Sequence, residues 1–336
     1  MAAYQLEQRL VVGIASSALF DLAESDAVFR AEGEAAYRKY QEAHLEDTLA
    51  PGAAFAFIER LLSLNDLADE GDPLVEVIVM SSNDPDTGLR VMKSIAAHGL
   101  PITRAVFRQG RSPHKFMPAF NMSLFLSGDE GAVREAVEAG RPAGRVLPSR
   151  VTASDAGSGD LRIAFDFDGV VADDSSEAVM QRAGLAEFHR HEVANVATPL
   201  GDGPLKAFLA AINRIQDREE AKRLEDPSYR IRVHVAIVTA RNAPSHERAL
   251  ASLKQWGVRV NDAFFLGGIA KSRVLEILRP HIFFDDQMSH LEGAADVVAS
   301  VHVPFGVVNT QAETSTAPGS APLMEEVGSV DSGATP

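Results

Sequence analysis

Residues 161–173 read Leu-Arg-Ile-Ala-Phe-Asp-Phe-Asp-Gly-Val-Val-Ala-Asp, an apolar strand that ends in two aspartates separated by one residue and then a glycine turn. A strand end is a rigid platform whose side chains alternate, so Asp166 and Asp168 project to one side and Phe167 to the other. Two carboxylates held that close repel each other unless a cation or a shared proton relieves them. A hard divalent ion such as Mg2+, which takes carboxylate oxygens, waters and a substrate phosphate, suits such a pair. The bland alternative is a glycine-containing turn carrying two solvated acids.

Three later stretches weigh against the bland alternative. Val233–Val238 is an apolar run closed by Thr239-Ala240-Arg241-Asn242. Lys271 follows the short run Ala263–Leu266 and a Gly267-Gly268 loop, and opens a helical stretch over 272–278. His281–Phe284 is a strand closed by Asp285-Asp286. The order is strand-DxD, strand-Thr, Lys, strand-AspAsp. It supplies a nucleophile, a neutral donor, a cation and metal ligands, the parts that phosphoryl transfer needs where catalysis is positioning and charge neutralisation.

This set resembles the haloacid dehalogenase-type phosphohydrolase superfamily, whose four motifs come in this order. Longer segments resemble the cytosolic 5′-nucleotidase type I family: Gly13-Ile-Ala-Ser-Ser-Ala-Leu-Phe-Asp21, Ser81-Ser-Asn-Asp-Pro-Asp-Thr-Gly-Leu-Arg90, Gly203-Pro-Leu-Lys-Ala-Phe208, Val238-Thr-Ala-Arg241 and Arg279-Pro-His-Ile-Phe-Phe-Asp-Asp-Gln287. The resemblance implies hydrolysis of nucleoside 5′-monophosphates such as AMP, with Mg2+. Asp166 would attack phosphorus to form an aspartyl-phosphate. Asp168 would protonate the leaving ribose oxygen and then deprotonate water, and its main-chain carbonyl would touch the metal. Thr239 would donate to a phosphoryl oxygen, its alternative being a strand-end cap. Lys271 would neutralise the phosphoryl group. Asp166, Asp168, Asp285 and Asp286 form the expected metal set, with Asp286 favoured over Asp285 as the direct ligand.

The chain has 336 residues, enough for two domains with real cores. It has no cysteine, which excludes disulfides, thiolate nucleophiles and zinc–thiolate sites. A formal net charge of −15 argues against binding nucleic acid polymers, which depends on neutralising phosphates with Lys and Arg. No apolar run is long enough to span a bilayer. Leu10–Phe20 reads as a first strand and not a signal peptide, so the expected location is the cytoplasm.

The chain also reads as two copies of one plan. Tyr37 and Phe188, like Gly52 and Gly203, are 151 positions apart in matching contexts, whereas Ser81 and Thr239, Arg90 and Arg248, and Gly99 and Gly257 are 158 apart. Strands alternating with helices imply doubly wound parallel sheets. The expected organisation is two such α/β units of haloacid dehalogenase-like, Rossmannoid type: a degenerate domain over 1–147, a linker over 148–160, a catalytic domain over 161–309 and a disordered tail over 310–336. In the alignment Ile14 and Ser16 fall opposite Asp166 and Asp168, so the first copy is expected to be silent. Its expected role is to complete the nucleotide pocket, through Ser81, Ser82, Asn83, Arg108 or Arg111, or to set a homo-oligomer interface. Ala240 and Arg241 are further substrate-binding candidates. Asp174-Ser-Ser-Glu177 reads as a capping box. Glu187–Glu192, with His189 and His191, reads as a solvated helix face.

Two other functions fit parts of this pattern. One is a phosphatase of the same fold acting on a sugar phosphate or another small phosphomonoester. The other is a phospho-acceptor signalling module, which also uses an acid cluster, a Thr and a Lys on a parallel sheet. In such modules the acid pair precedes a separate acceptor; here acceptor and acid/base share one DxD.

Overall fold

A computed structural model describes residues 5–69, 71–149 and 159–310. Most of the expected linker and the tail beyond 310 lie outside the described residues. In chain order the strands are β1 (Leu10–Ile14), β2 (Val75–Ser81), β3 (Arg104–Phe107), β4 (Leu124–Ser127), β5 (Ala143–Val146), β6 (Leu161–Phe165), β7 (Val233–Thr239), β8 (Asp262–Phe265), β9 (Ile282–Asp285) and β10 (Ser300–His302).

These strands form a single sheet in the order β3-β2-β1-β4-β5-β10-β9-β6-β7-β8. Within each half all pairings are parallel. The halves meet at β5 and β10, which pair antiparallel through Val146↔Val301 and Arg145↔His302. The two expected units are therefore joined edge to edge, and the strands of one half run opposite to those of the other.

Alternation sorts the strand side chains into two layers. Leu10, Val12 and Ile14 face one way, with Phe57 and Ile58 of helix Phe55–Ser63 in the same core. Ile163 and Phe165 join that layer beside Phe208 and Ile212 of helix Lys206–Glu225, so one core runs under both halves. On the other face the cores are separate. Val11 packs with Met117 and Val133, and Ala164 packs with Leu275 and Leu291. A sheet covered on both faces explains why β1 and β2 are buried throughout, and why β1 reads as a continuous apolar run.

The halves repeat each other in detail. The second half has the strand order of the first, reflected about the β5–β10 seam. Leu49 N–H donates to Ser94 Oγ, and Leu200 N–H to Ser252 Oγ. Arg90 Nε donates to the Asp47 carbonyl, and Arg248 Nε to that of Thr198. Above the strand ends, helices Ala23–Glu32 and Glu34–Ala43 are broken at Gly33, with φ 81° and ψ −174°. Helix Ser175–Ala194 is broken at Gly184, with φ 78° and ψ 178°. Only glycine takes that conformation readily.

Two sequence expectations need correction. Ile14 pairs with Val79 and Leu126, as Phe165 pairs with Ile237 and Phe284. Asp166 and Asp168 are therefore matched by Ala15 and Ser17, one position beyond the expected Ile14 and Ser16. The one-residue slip matters because it exchanges the two faces of a strand. The capping box at 174–177 is not formed either. Asp174 Oδ2 accepts from Val307 N–H at 2.7 Å, while Asp173 Oδ1 accepts from Ser175 Oγ at 2.7 Å. The acid at the helix start is used to hold a distant turn instead of its own first turn.

Candidate active site

Asp166, Thr239 and Asp285 stand at the carboxyl ends of β6, β7 and β9, which are neighbours in the sheet. Ligands of open parallel sheets bind beyond such ends. Asp166 N–H donates to the Phe284 carbonyl at 2.7 Å, which continues the β6–β9 ladder by one bond and fixes the aspartate's backbone. Lys271 opens helix Lys271–Leu278 and lies between two acids, its Nζ 2.8 Å from Asp166 Oδ2 and 2.7 Å from Asp285 Oδ2. All three side chains are buried.

Asp285 is fully engaged. Its Oδ1 accepts from Gln287 N–H at 2.8 Å and lies 3.2 Å from His290 Nδ1. Asp286 is the opposite case, since its buried Oδ1 has no hydrogen-bond partner. The Asp286 main-chain carbonyl is held instead, by His302 Nε2 and Asn309 Nδ2, each at 3.0 Å. Gly169 makes room for this acid. It sits at φ +71°, and a Cβ there would come within 2.6 Å of the Asp286 carboxyl carbon, so the glycine after the DxD is required by both backbone and neighbour.

The electrostatics show a site short of positive charge. Burial, reinforced by Asp285, pushes the Asp166 carboxyl up to about 6 even with Lys271 beside it. Burial together with Asp166 and Asp285 pushes Asp286 up to about 9. Asp285 is held below the usual range despite its burial because Lys271 lies against it. Lys271 is also buried, yet its two carboxylate neighbours raise it. One lysine cannot balance three crowded carboxylates, and an unpartnered buried carboxylate oxygen is costly. A divalent cation fits both deficits. Among the described residues, Asp166, Asp285 and His290 bring donor atoms within 4.8 Å of one another.

Asp168 has a cation of its own. Both of its oxygens accept from Arg241, Oδ2 from Nε at 2.7 Å and Oδ1 from Nη2 at 2.6 Å. Arg241 Nη1 donates to Glu192 Oε2 and, at 3.1 Å, to the Ser245 carbonyl. The guanidinium carbon lies 5.3 Å from the centres of both the Phe167 and Phe188 rings. Burial opposes charge on Arg241, but Asp168 and Glu192 outweigh it and raise its pKa. Burial likewise opposes charge on Glu192, and Arg241 outweighs it and lowers that pKa. Thr239 Oγ1 accepts from Arg241 N–H at 3.2 Å, which leaves its hydroxyl proton free to donate. Ala240 is exposed at the same strand end.

Glu192 was not visible as a site residue in the sequence. It lies in the run read as a solvated face, yet it is 1% exposed and bonds Arg241, Arg248 Nη1 at 2.8 Å and Ser176 Oγ at 2.8 Å. The available signal was its match to Gln41, which accepts from Arg90 in the first half as Glu192 accepts from Arg248. His189 also contributes, its Nε2 lying 3.1 Å from Asn242 Oδ1.

The remaining candidates are not brought to this cluster. Ser81, Ser82 and Asn83 lie at the end of β2, and Arg108 and Arg111 in the loop after β3. The antiparallel seam sends these ends to the opposite edge of the sheet. β2 and β3 are also six and seven positions away from β6 in the sheet, roughly 30 Å at the usual strand spacing. The expectation that they complete the pocket around Asp166 within one chain is corrected accordingly. Arg108 instead lies over the Phe116 ring, its guanidinium carbon 4.7 Å from the centre.

The 5′-nucleotidase family profile matches residues 2–310. The protein named cytosolic 5′-nucleotidase 1B of Homo sapiens is 34% identical over 294 residues, covering 85% of this chain and 47% of its own length. The chain thus spans about half of that relative. A crystal structure of a haloacid dehalogenase-like hydrolase from Burkholderia xenovorans LB400 is 16% identical, covers 48% of this chain and 90% of its own, and has a TM-score of 0.26. That likeness is too slight to add to the strand order described above. On the strength of the profile, which runs through both halves and all four strand-end motifs, the chain belongs to the 5′-nucleotidase family.

Proposed function

We propose that this protein hydrolyses nucleoside 5′-monophosphates, AMP among them, to nucleoside and phosphate. The observation that carries the reading is the pairing of Asp166, at the end of β6, with Lys271, at the start of its helix, with Asp168 two residues on and held by a separate cation. Asp166 Oδ attacks phosphorus, and the bond from phosphorus to the ribose oxygen breaks. Asp168 delivers the proton that the leaving oxygen needs. Asp168 then takes a proton from water, which attacks the aspartyl-phosphate, breaks its P–O bond and restores Asp166. Lys271 and Thr239 face the phosphoryl oxygens.

Asp166 and Asp286, with the Asp168 main-chain carbonyl and with Asp285 or His290 in support, would hold Mg2+. When bound, the ion supplies the positive charge that these acids lack and offsets charge on the phosphoryl group. In the arrangement described, both Asp168 oxygens are occupied by Arg241. Each Asp168 oxygen keeps a second lone pair beside the bond to Arg241, so the fork orients the carboxyl group while it gives and takes the proton, and Glu192 keeps Arg241 in place. The cytoplasm is the setting proposed for this reaction. Among the described residues no helix is long and apolar enough to cross a membrane.

The test is hydrolysis of a panel of phosphomonoesters with and without Mg2+. Preference for nucleoside 5′-monophosphates, abolished by a chelator and restored by Mg2+, is the expected result. Preference for a sugar phosphate would replace the substrate and keep the chemistry. No hydrolysis of any ester would refute the reading.

A further inference from the structure

The first half keeps the scaffold of the second and loses its charges. Strand register sets Ala15 where Asp166 stands and Ser127 where Asp285 stands. Ser81 matches Thr239, and two residues on, Asn83 matches Arg241. Despite this loss, the strand ends of the first half open into a cleft of about 1770 Å3. It lies on the edge of the sheet opposite Asp166, and none of the catalytic candidates of the second half lines it.

The chemistry of the cleft is legible. Its floor is neutral and hydrogen-bonding: Ser16 and Ser81 share a bond at 3.1 Å, with Asn83 and Ser127 beside them. Its wall carries an aromatic pair, Phe29 and Tyr37, with ring centres 5.7 Å apart at 87°. Phe29 is 49% exposed, an unusual state for a phenylalanine that no partner covers. The helix starts that would attract a phosphate are already taken. Asp84 Oδ1 accepts from Asp86 N–H and Thr87 N–H at 2.9 Å, and Asp129 Oδ1 from Ala132 N–H at 3.2 Å. A phosphate there would meet carboxylates instead of free amides. Of the arginines that line the cleft, Arg30 turns its Nε back to the Asp26 carbonyl of its own helix, and Arg145 is paired with Glu130.

We propose that this cleft is a second, non-hydrolysing site, and that it takes a neutral nucleoside. Hydroxyls and an amide suit a ribose and a base edge, and the Phe29–Tyr37 pair offers a face on which a base stacks. The choice of a nucleoside among neutral aromatic polyols rests on the proposed reaction, which releases one.

The experiment is equilibrium dialysis of radiolabelled adenosine against the full chain, alongside Phe29→Ala and Asn83→Leu. Phe29 is exposed and neither residue belongs to the catalytic cluster, so both variants should hydrolyse AMP as the parent does. Each should weaken adenosine binding by about tenfold, the usual worth of one stacking or hydrogen-bonding contact to a base. That loss supports the site whether or not AMP is a substrate, which separates this proposal from the proposed reaction. Unchanged adenosine binding in both folded variants overturns it. AMP binding is measured on the Asp166→Asn chain, where turnover is blocked. One AMP per chain supports a neutral cleft; a second AMP, lost in Phe29→Ala, overturns the exclusion of phosphate.

Discussion

Arg241 grips Asp168 with two nitrogens, at 2.7 and 2.6 Å, and turns its third to Glu192. A buried guanidinium between two carboxylates is satisfied only while both are present. The proposed acid/base is thereby tied, through one side chain, to the helix that arches over the strand ends.

Arg241→Lys should test that tie. An ammonium cannot fork a carboxylate and reach Glu192 at the same time. Asp168 would lose its fixed orientation, and a misplacement of about 1 Å at a reacting group costs roughly 100-fold. AMP turnover is therefore expected to fall by about that factor at saturating substrate. Turnover within a fewfold of the parent would remove Arg241 as a positioning residue.

Glu192 should dominate stability in the same region. Glu192→Ala leaves Arg241 and Arg248 facing a vacated buried site, and breaking such a pair costs about 3–5 kcal/mol. Glu192→Gln should be milder, because Gln41 already accepts from Arg90 in the matching place. Urea unfolding of the two variants checks the ranking, and equal losses would contradict it.

Asp166→Asn should abolish turnover without harming the fold. The amide keeps the shape but is no nucleophile, and a loss of about 10⁴-fold or more is expected. Because Asp166 is itself crowded by Asp285 and raised to about 6 by its burial, removing its charge should leave the thermal midpoint unchanged or higher. A folded variant with near-normal activity would disqualify the nucleophile.

Asp168→Asn should discriminate between leaving groups. Release of a ribose oxygen needs a proton, whereas an activated aryl phosphate needs little help. The variant is expected to lose much more activity on AMP than on the aryl ester in the first step. Equal loss on both would point away from an acid.

Mg2+ should raise the thermal midpoint of the full chain, independently of any turnover. A ligand at a hundred times its Kd stabilises by about 2.7 kcal/mol. In Asp286→Ala the rise should shrink or vanish, and in Lys271→Ala it should persist. A midpoint that responds to Mg2+ alike in the parent and in Asp286→Ala would remove Asp286 from the metal set.

Much of the second half could be read from its residues because strand, acid and glycine fall in a local order. Asp166, Thr239, Lys271 and Asp285 each close or follow an apolar run, and sheet topology brings such ends together. Glu192 escaped because its partners, Arg241 and Arg248, lie 49 and 56 residues away. A glutamate on a helix otherwise reads as solvated. The destination of the loops at Ser81–Asn83 and Arg108–Arg111 escaped for another reason. Local pattern fixes the order of strands within each half, but the direction of one half against the other is set at β10. That strand is three residues long and has no signature of its own. The register of β1 slipped by one because Leu10–Ile14 is apolar on both faces, so alternation gave nothing to align.

The seam at β5 and β10 also guards the second half. Without the first, β10 would present a bare row of N–H and C=O groups, an open border that invites strands from other molecules. It also steadies the backbone of Asp286, since His302 on β10 meets that residue's carbonyl. A stranger added there would tug on the backbone beneath Asp286. By occupying that border with its own last strand, the first half closes this border to such pairing.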